Sequence, residues 1–141
     1  MKTIFLIILL TFLLIISCKS TNSIYNKQMK EAYIHSFKLT YYENLMIKGF
    51  NNSEELKFLI SSDRSGFSEI LLSIEDYNLI DSLTTKDNQI MLNDSIDRIE
   101  RVAEGSDGKR VLEFSINKYN SKWIDDLAKQ RYKIKIISER Q

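Results

Sequence analysis

NKQMKEAYIHSFKLTYYENLMIK, residues 26–48, sets the architecture of this chain. Within it Met29, Tyr33, Phe37, Tyr41 and Leu45 recur at every fourth position, and Ile34 and Met46 widen the stripe. With 3.6 residues to a turn, such spacing lines one face of an amphipathic helix. Gly49 follows where a helix C′ glycine would sit. The rest of the chain is expected to supply helices that cover this face, giving an all-α single helical bundle.

Downstream, Asn51, Asn52 and Ser53 offer N-caps, and Asn52 with Glu55 resembles a capping box. A second helix would carry Leu56, Leu59 and Ile60 and stop in the polar run from Ser61 to Gly66. Phe67 to Leu72 fits either a buried helical turn or a short strand. Ser73 with Asp76 at the capping-box position should open a third helix, with Tyr77, Ile80 and Leu83 on its buried face. Asp87 and Asn88 would break or bend it. Leu92, Ile96, Ile99 and Ala103 then form a stripe in steps of four, three and four, a fourth helix or a continuation of the third. Glu104 to Gly108 is the clearest loop. Val111, Leu112, Ser115, Ile116 and Tyr119 show helical spacing again. Asn120 or Ser121 would cap a last helix bearing Trp123, Ile124, Leu127 and Arg131. The alternation of apolar and basic residues from Tyr132 to Ile136 reads as a short strand or extended tail.

Upstream, a short basic start precedes an almost wholly aliphatic run, Ile4 to Ile16, and then Ser17-Cys18-Lys19. The run has the length of a signal-peptide h-region and is short for a span, which takes about 20 residues. Ile15-Ile16-Ser17-Cys18 resembles the bacterial lipobox. That resemblance implies diacylglycerol on the Cys18 thiol and cleavage before Cys18. The expected organisation is a signal peptide at 1–17, a lipidated tether at 18–25 and a helical domain at 26–141. Several acyl chains hold a protein on a bilayer where one is marginal. Lys19 follows Cys18 instead of an aspartate, and no acidic run comes after it. A lipoprotein of the outer membrane facing the periplasm is the expectation.

The 141 residues hold 20 basic and 19 acidic side chains; without Lys2 the two numbers are equal. That balance argues against nucleic acid, whose binding domains usually carry a basic excess. One Cys and one His exclude an intrachain disulfide and a Cys/His zinc site. His35 would have to serve any Ser-His or Cys-His catalysis, and its place beside Ile34 and Phe37 reads better as structural. Carboxylate pairs such as Glu75-Asp76, Asp94 with Asp97, and Asp125-Asp126 read as solvated helix faces rather than acid–base pairs. Glu104 to Arg110 has glycine and lysine but not the spacing of a P-loop. No enzyme, metal or cofactor is expected.

Tyr119-Asn120-Ser121-Lys122-Trp123-Ile124-Asp125-Asp126-Leu127-Ala128-Lys129 resembles a segment of the type VI secretion amidase immunity proteins. The residues that carry the likeness are Tyr119, Asn120, Ser121, Lys122, Asp125 and Leu127. Lys109 to Phe114 resembles the stretch leading into it, and Ser73 to Leu83 is a weaker match. The resemblance implies an all-helical, often dimeric periplasmic protein that blocks the active-site cleft of a peptidoglycan amidase effector. Such an inhibitor needs a rigid scaffold and a protruding polar segment. The Glu104–Arg110 loop is the candidate, with Asp107, Lys109 and Arg110 able to pair with groups at a cleft mouth. The other reading is a structural or assembly lipoprotein that binds another envelope protein.

Overall fold

The computed structural model describes the backbone of residues 2–63, 71–99 and 108–138, and the side chains from Tyr25 onward within those ranges. Five helices and no strand occur among the described residues: α1 (Lys2–Gly49), α2 (Glu54–Ser62), α3 (Ile74–Arg98), α4 (Val111–Tyr119) and α5 (Lys122–Ser138). The fold is all-α, as the periodicity indicates. Two compact units are present, Met1–Ala32 and Tyr33–Gln141. In the first, Lys27 pairs with Glu31 one helical turn on, 4.0 Å away.

The four-residue stripe is its spine. Tyr33, Phe37, Tyr41 and Leu45 are each at most 1% exposed. Burying one such side chain contributes about 1.5–3 kcal/mol. The α4–α5 arm runs against α1: Arg131 and Tyr132 lie by Tyr33, Trp123 by Tyr41, and Val111 by Gly49. Along α3, Asp76 meets Arg131, Asp87 meets Lys118, and Arg98 meets the Gly108 carbonyl. So α3 also opposes that arm and runs with α1. The result is a three-rod bundle in which α2 begins the return from the end of α1 towards the start of α3.

Helix ends follow local chemistry. Ser73 caps α3: its Oγ accepts from the Asp76 N–H at 3.3 Å, and Asp76 accepts from the Ser73 N–H at 3.0 Å. This is the expected reciprocal box. For α2 the cap is Ser53 instead of Asn52, accepting from the Leu56 N–H at 3.3 Å. Asn51 and Asn52 lie in the left-handed region, with φ of 57° and 59°, which asparagine tolerates better than most residues. They turn the chain and leave capping to the next residue. Ser121, not Asn120, accepts from the Ile124 N–H at the start of α5, at 3.4 Å.

Several expectations are corrected. Asp87 and Asn88 neither break nor bend α3 out of helix; it is continuous from Ile74 to Arg98. Its buried face is Asp76, Ile80, Thr84, Asp87, Met91 and Ser95, so the Leu92, Ile96 and Ile99 stripe points to solvent. Tyr77, expected inside, is also exposed, and Leu83 is half-buried; Leu59 on α2 is exposed. Tyr132 to Ile136 is neither strand nor tail but part of α5. Tyr132, Lys135 and Ile136 are half-buried while Lys133, Ile134 and Ile137 are exposed, which is a helical rhythm beneath an apparent alternation. Leu71 and Leu72 are buried outside any helix; Phe67 to Ile70 lie outside the described residues, as do Ala103 and Glu104 to Asp107.

Candidate functional site

Two polar clusters stitch the three rods together. At one end the Tyr33 hydroxyl donates to Asp76 Oδ2 at 2.7 Å, and the Arg131 guanidinium donates to Asp76 Oδ1 at 2.7 Å. Eight residues further along α1, Tyr41 donates to Asp87, and Lys118 Nζ reaches the same carboxylate at 3.0 Å. Each cluster has one aromatic hydroxyl from α1, one carboxylate from α3 and one cation from the α4–α5 arm. A buried phenol needs an acceptor and a buried carboxylate needs a cation, so each satisfies the other. Burial alone would raise the Asp76 pKa. Hydrogen bonds from the Ser73 N–H, Tyr33 and Arg131, with the Arg131 charge, outweigh it and hold the carboxyl below its usual range. Burial, reinforced by Asp76 and Asp87, pushes the Tyr33 and Tyr41 hydroxyls far above theirs. These groups are locked into structure by one another. Hydropathy periodicity passes over the α3 members because they are polar at core positions; tyrosines facing out-of-place acids were the available signal.

His35 is exposed on α1. Among the described residues no group of three or more His, Cys, Asp and Glu could hold a metal. Among residues with described side chains, no helix is long and apolar enough to cross a membrane.

Among the described residues, one groove opens beside each side of α4. The larger, about 280 Å³, lies between α3 and α4 and is lined by Ile90, Met91, Asp94, Arg110, Glu113, Phe114 and Asn117. The smaller, about 190 Å³, lies between α1 and α4 and is wholly apolar: Leu39, Tyr42, Ile116 and Tyr119. Leu112, one turn before Ile116 on the same helix, is exposed, and Trp123, at the start of α5, is 46% exposed on the side of Tyr41 and Lys118. Trp123 meets the Tyr41 ring edge-on at 6.1 Å between centroids, and the Lys118 ammonium sits 5.0 Å above its own ring.

The residues singled out from the sequence part company here. Asp107 lies outside the described residues. Lys109 is turned inward: its ammonium donates to Asn51 Oδ1 at 2.8 Å and to Asn88 Oδ1 at 3.2 Å, tying the α1–α2 turn to α3. Burial lowers its pKa. Arg110 is exposed on the larger groove and faces Glu113 at 3.7 Å. Tyr119 lines the smaller groove, with its ring edge-on to Tyr42 at 5.8 Å and the Lys38 ammonium 4.9 Å over it. Ser121 spans the α4–α5 junction, Asn120 and Lys122 are exposed, and Leu127 is half-buried. Asp125 takes Lys129 and lies 3.8 Å from Lys38.

No protein-family model, curated protein or solved structure matches this chain. The site must therefore be read from its own chemistry. It consists of an apolar, aromatic strip on the α1–α4 side, next to residues of the Tyr119–Lys129 segment, and a mixed-charge groove on the α3–α4 side.

Proposed function

We propose that this chain is an envelope lipoprotein that acts by binding a protein: it is held by lipid on Cys18, faces the periplasm from the outer membrane, and inhibits a peptidoglycan amidase effector. The observation that carries the binding part is the α1–α4 strip. Leu39, Tyr42, Ile116 and Tyr119 form an open apolar groove, with Leu112 exposed one turn away on α4. Open apolar strips rich in aromatic residues are what protein partners cover, and tyrosine and tryptophan are frequent anchors in such contacts. The well-placed polar groups of the bundle core, by contrast, are spent on each other. The amidase as partner comes from the resemblance of Tyr119–Lys129 to the immunity proteins. Arg110, exposed at the neighbouring groove, is available to a cleft mouth; Lys109 is occupied as a tether.

The test is calorimetric titration of the full chain in detergent against a Cys-His amidase encoded beside its gene. Inhibition with tight binding is expected, and Ile116→Asp should weaken it at least about tenfold, the effect of about 1.4 kcal/mol. An active, folded amidase that neither binds nor loses activity sinks the pairing. Cys18→Ser should move the chain from the membrane fraction to the soluble one. The second reading, an assembly lipoprotein, is favoured by Leu92, Ile96 and Ile99, an exposed apolar stripe on α3 separate from the α1–α4 strip. A neighbouring gene for envelope-assembly machinery would support it.

A further inference from the structure

We infer that the α3–α4 groove is a binding site for a small zwitterion, a short apolar peptide with free amino and carboxyl ends. Its volume, about 280 Å³, sits just under the usual range for small-molecule pockets and is too small to seat a partner helix. Ile90, Met91 and Phe114 give it apolar walls, while Asp94, Glu113, Arg110 and Asn117 supply polar groups. The two acids differ in how they are held. Asp94 Oδ2 accepts from Arg98 Nε at 2.8 Å, and Arg98 in turn donates to the Gly108 carbonyl at 2.8 Å. Arg98 is nearly covered, at 13% side-chain exposure, so Asp94 is braced at the rim. Arg110 and Glu113 are both more than half exposed and stand 3.7 Å apart, a loose surface pair that opens at little cost.

With Arg98 behind Asp94 counted, two negative and two positive charges balance around the groove, although Arg98 does not itself line it. A ligand of one sign meets as much repulsion as attraction. A purely apolar ligand would strip water from the carboxylates and return nothing. A dipolar ligand meets both needs. Its ammonium pairs with the braced Asp94, its carboxylate displaces Glu113 from Arg110 and takes the guanidinium, and its side chain lies on Met91 and Phe114. Asn117 is left to bond a peptide amide. This site requires neither a protein partner nor the amidase reading.

The experiment is saturation-transfer NMR on the full chain in detergent, with leucyl-leucine as probe. The expected result is saturable binding with a Kd of about 0.1–1 mM, as a ligand of this size allows. Capping either end, as the N-acetyl or the C-terminal amide form, should weaken it about tenfold. Arg110→Gln should weaken the free peptide about tenfold and leave the amide form unaffected. The capped peptides leave the protein untouched, so their result does not depend on any variant folding. No saturable transfer up to about ten times that Kd range, or equal binding of free and capped peptides, overturns the inference.

Discussion

Replacing Asp76 by alanine removes the centre of the first polar cluster. The carboxylate is 1% exposed and takes three donors: the Tyr33 hydroxyl, the Ser73 N–H and the Arg131 guanidinium. Alanine leaves a buried phenol without an acceptor, a cation without its counter-charge and α3 without half of its capping box. Removing one partner of a buried ion pair costs about 3–5 kcal/mol. The cap is worth about 1 kcal/mol, and part of that is already counted in the same hydrogen bonds. We expect a loss of about 4 kcal/mol. In urea, with a slope of about 2 kcal/mol per molar, the unfolding midpoint should fall by about 2 M. Asp76→Asn, which keeps shape and one acceptor, should fall between. The pH dependence has a definite sign. The folded-state pKa of Asp76 is held below its ordinary value, so the stabilisation is complete above about pH 4 and is lost as pH falls through the lower, folded value. Wild-type chain should therefore lose stability in acid more steeply than Asp76→Asn. A midpoint shift under about 0.5 M for Asp76→Ala, or parallel acid profiles, would refute the account of the cluster as the tie between α1, α3 and α5.

Gly49→Ala should destabilise despite the better helix propensity of alanine, because a Cβ there would clash with Val111 Cγ1. A loss of about 1–3 kcal/mol by urea denaturation, recovered in part by adding Val111→Ala, is the expected outcome. Ser115→Ala should stabilise by up to about 1 kcal/mol, since Ser115 Oγ is buried with no hydrogen-bond partner among the described residues. A lower melting temperature would count against that. Trp123→Ala should cost about 1–2 kcal/mol, below the 3–5 kcal/mol of a buried aromatic, because nearly half of the side chain is in water. Thermal melts of the pair Trp123→Ala and Phe37→Ala would expose the difference.

The face of α1 was legible because its buried positions are apolar or aromatic and fall four apart, and Gly49 marks its end. The start of α3 was legible for a different reason, the spacing of Ser73 and Asp76. The face of α3 was not. Asp76, Thr84, Asp87 and Ser95 are inside, and hydropathy assigns such residues to solvent. The burial of Asp76 and Asp87 depends on tyrosines of α1 and on cations more than thirty residues away, while Thr84 returns its hydroxyl to the Ile80 carbonyl of its own helix. Leu92, Ile96 and Ile99 misled for the complementary reason: they have perfect helical spacing on a side that no described helix covers. In the same way, Tyr132 to Ile136 alternates by coincidence of a helical rhythm with two lysines, and Lys135 covers its stem by reaching the Leu71 carbonyl at 2.6 Å. Of the candidate site, Arg110 was visible as a loop charge beside α4. The grooves it neighbours were not, since a groove is made by two helices distant in sequence. The inward turn of Lys109 onto Asn51 and Asn88 is likewise a contact between segments that no local pattern announces.

The placement of Trp123 gives the molecule a reporter of its own. It is the only tryptophan in the chain. Its indole is divided between water and the Tyr41 ring, with a lysine ammonium over its face. Light emitted by an indole shifts to shorter wavelength as water leaves it and to longer wavelength as water arrives. A partner that covers the junction of α4 and α5 should therefore shift the emission blue, and unfolding should shift it red. Binding and denaturation thus carry opposite signs in one unlabelled spectrum, so a destabilised variant and a variant blind to its partner can be told apart without attaching a dye.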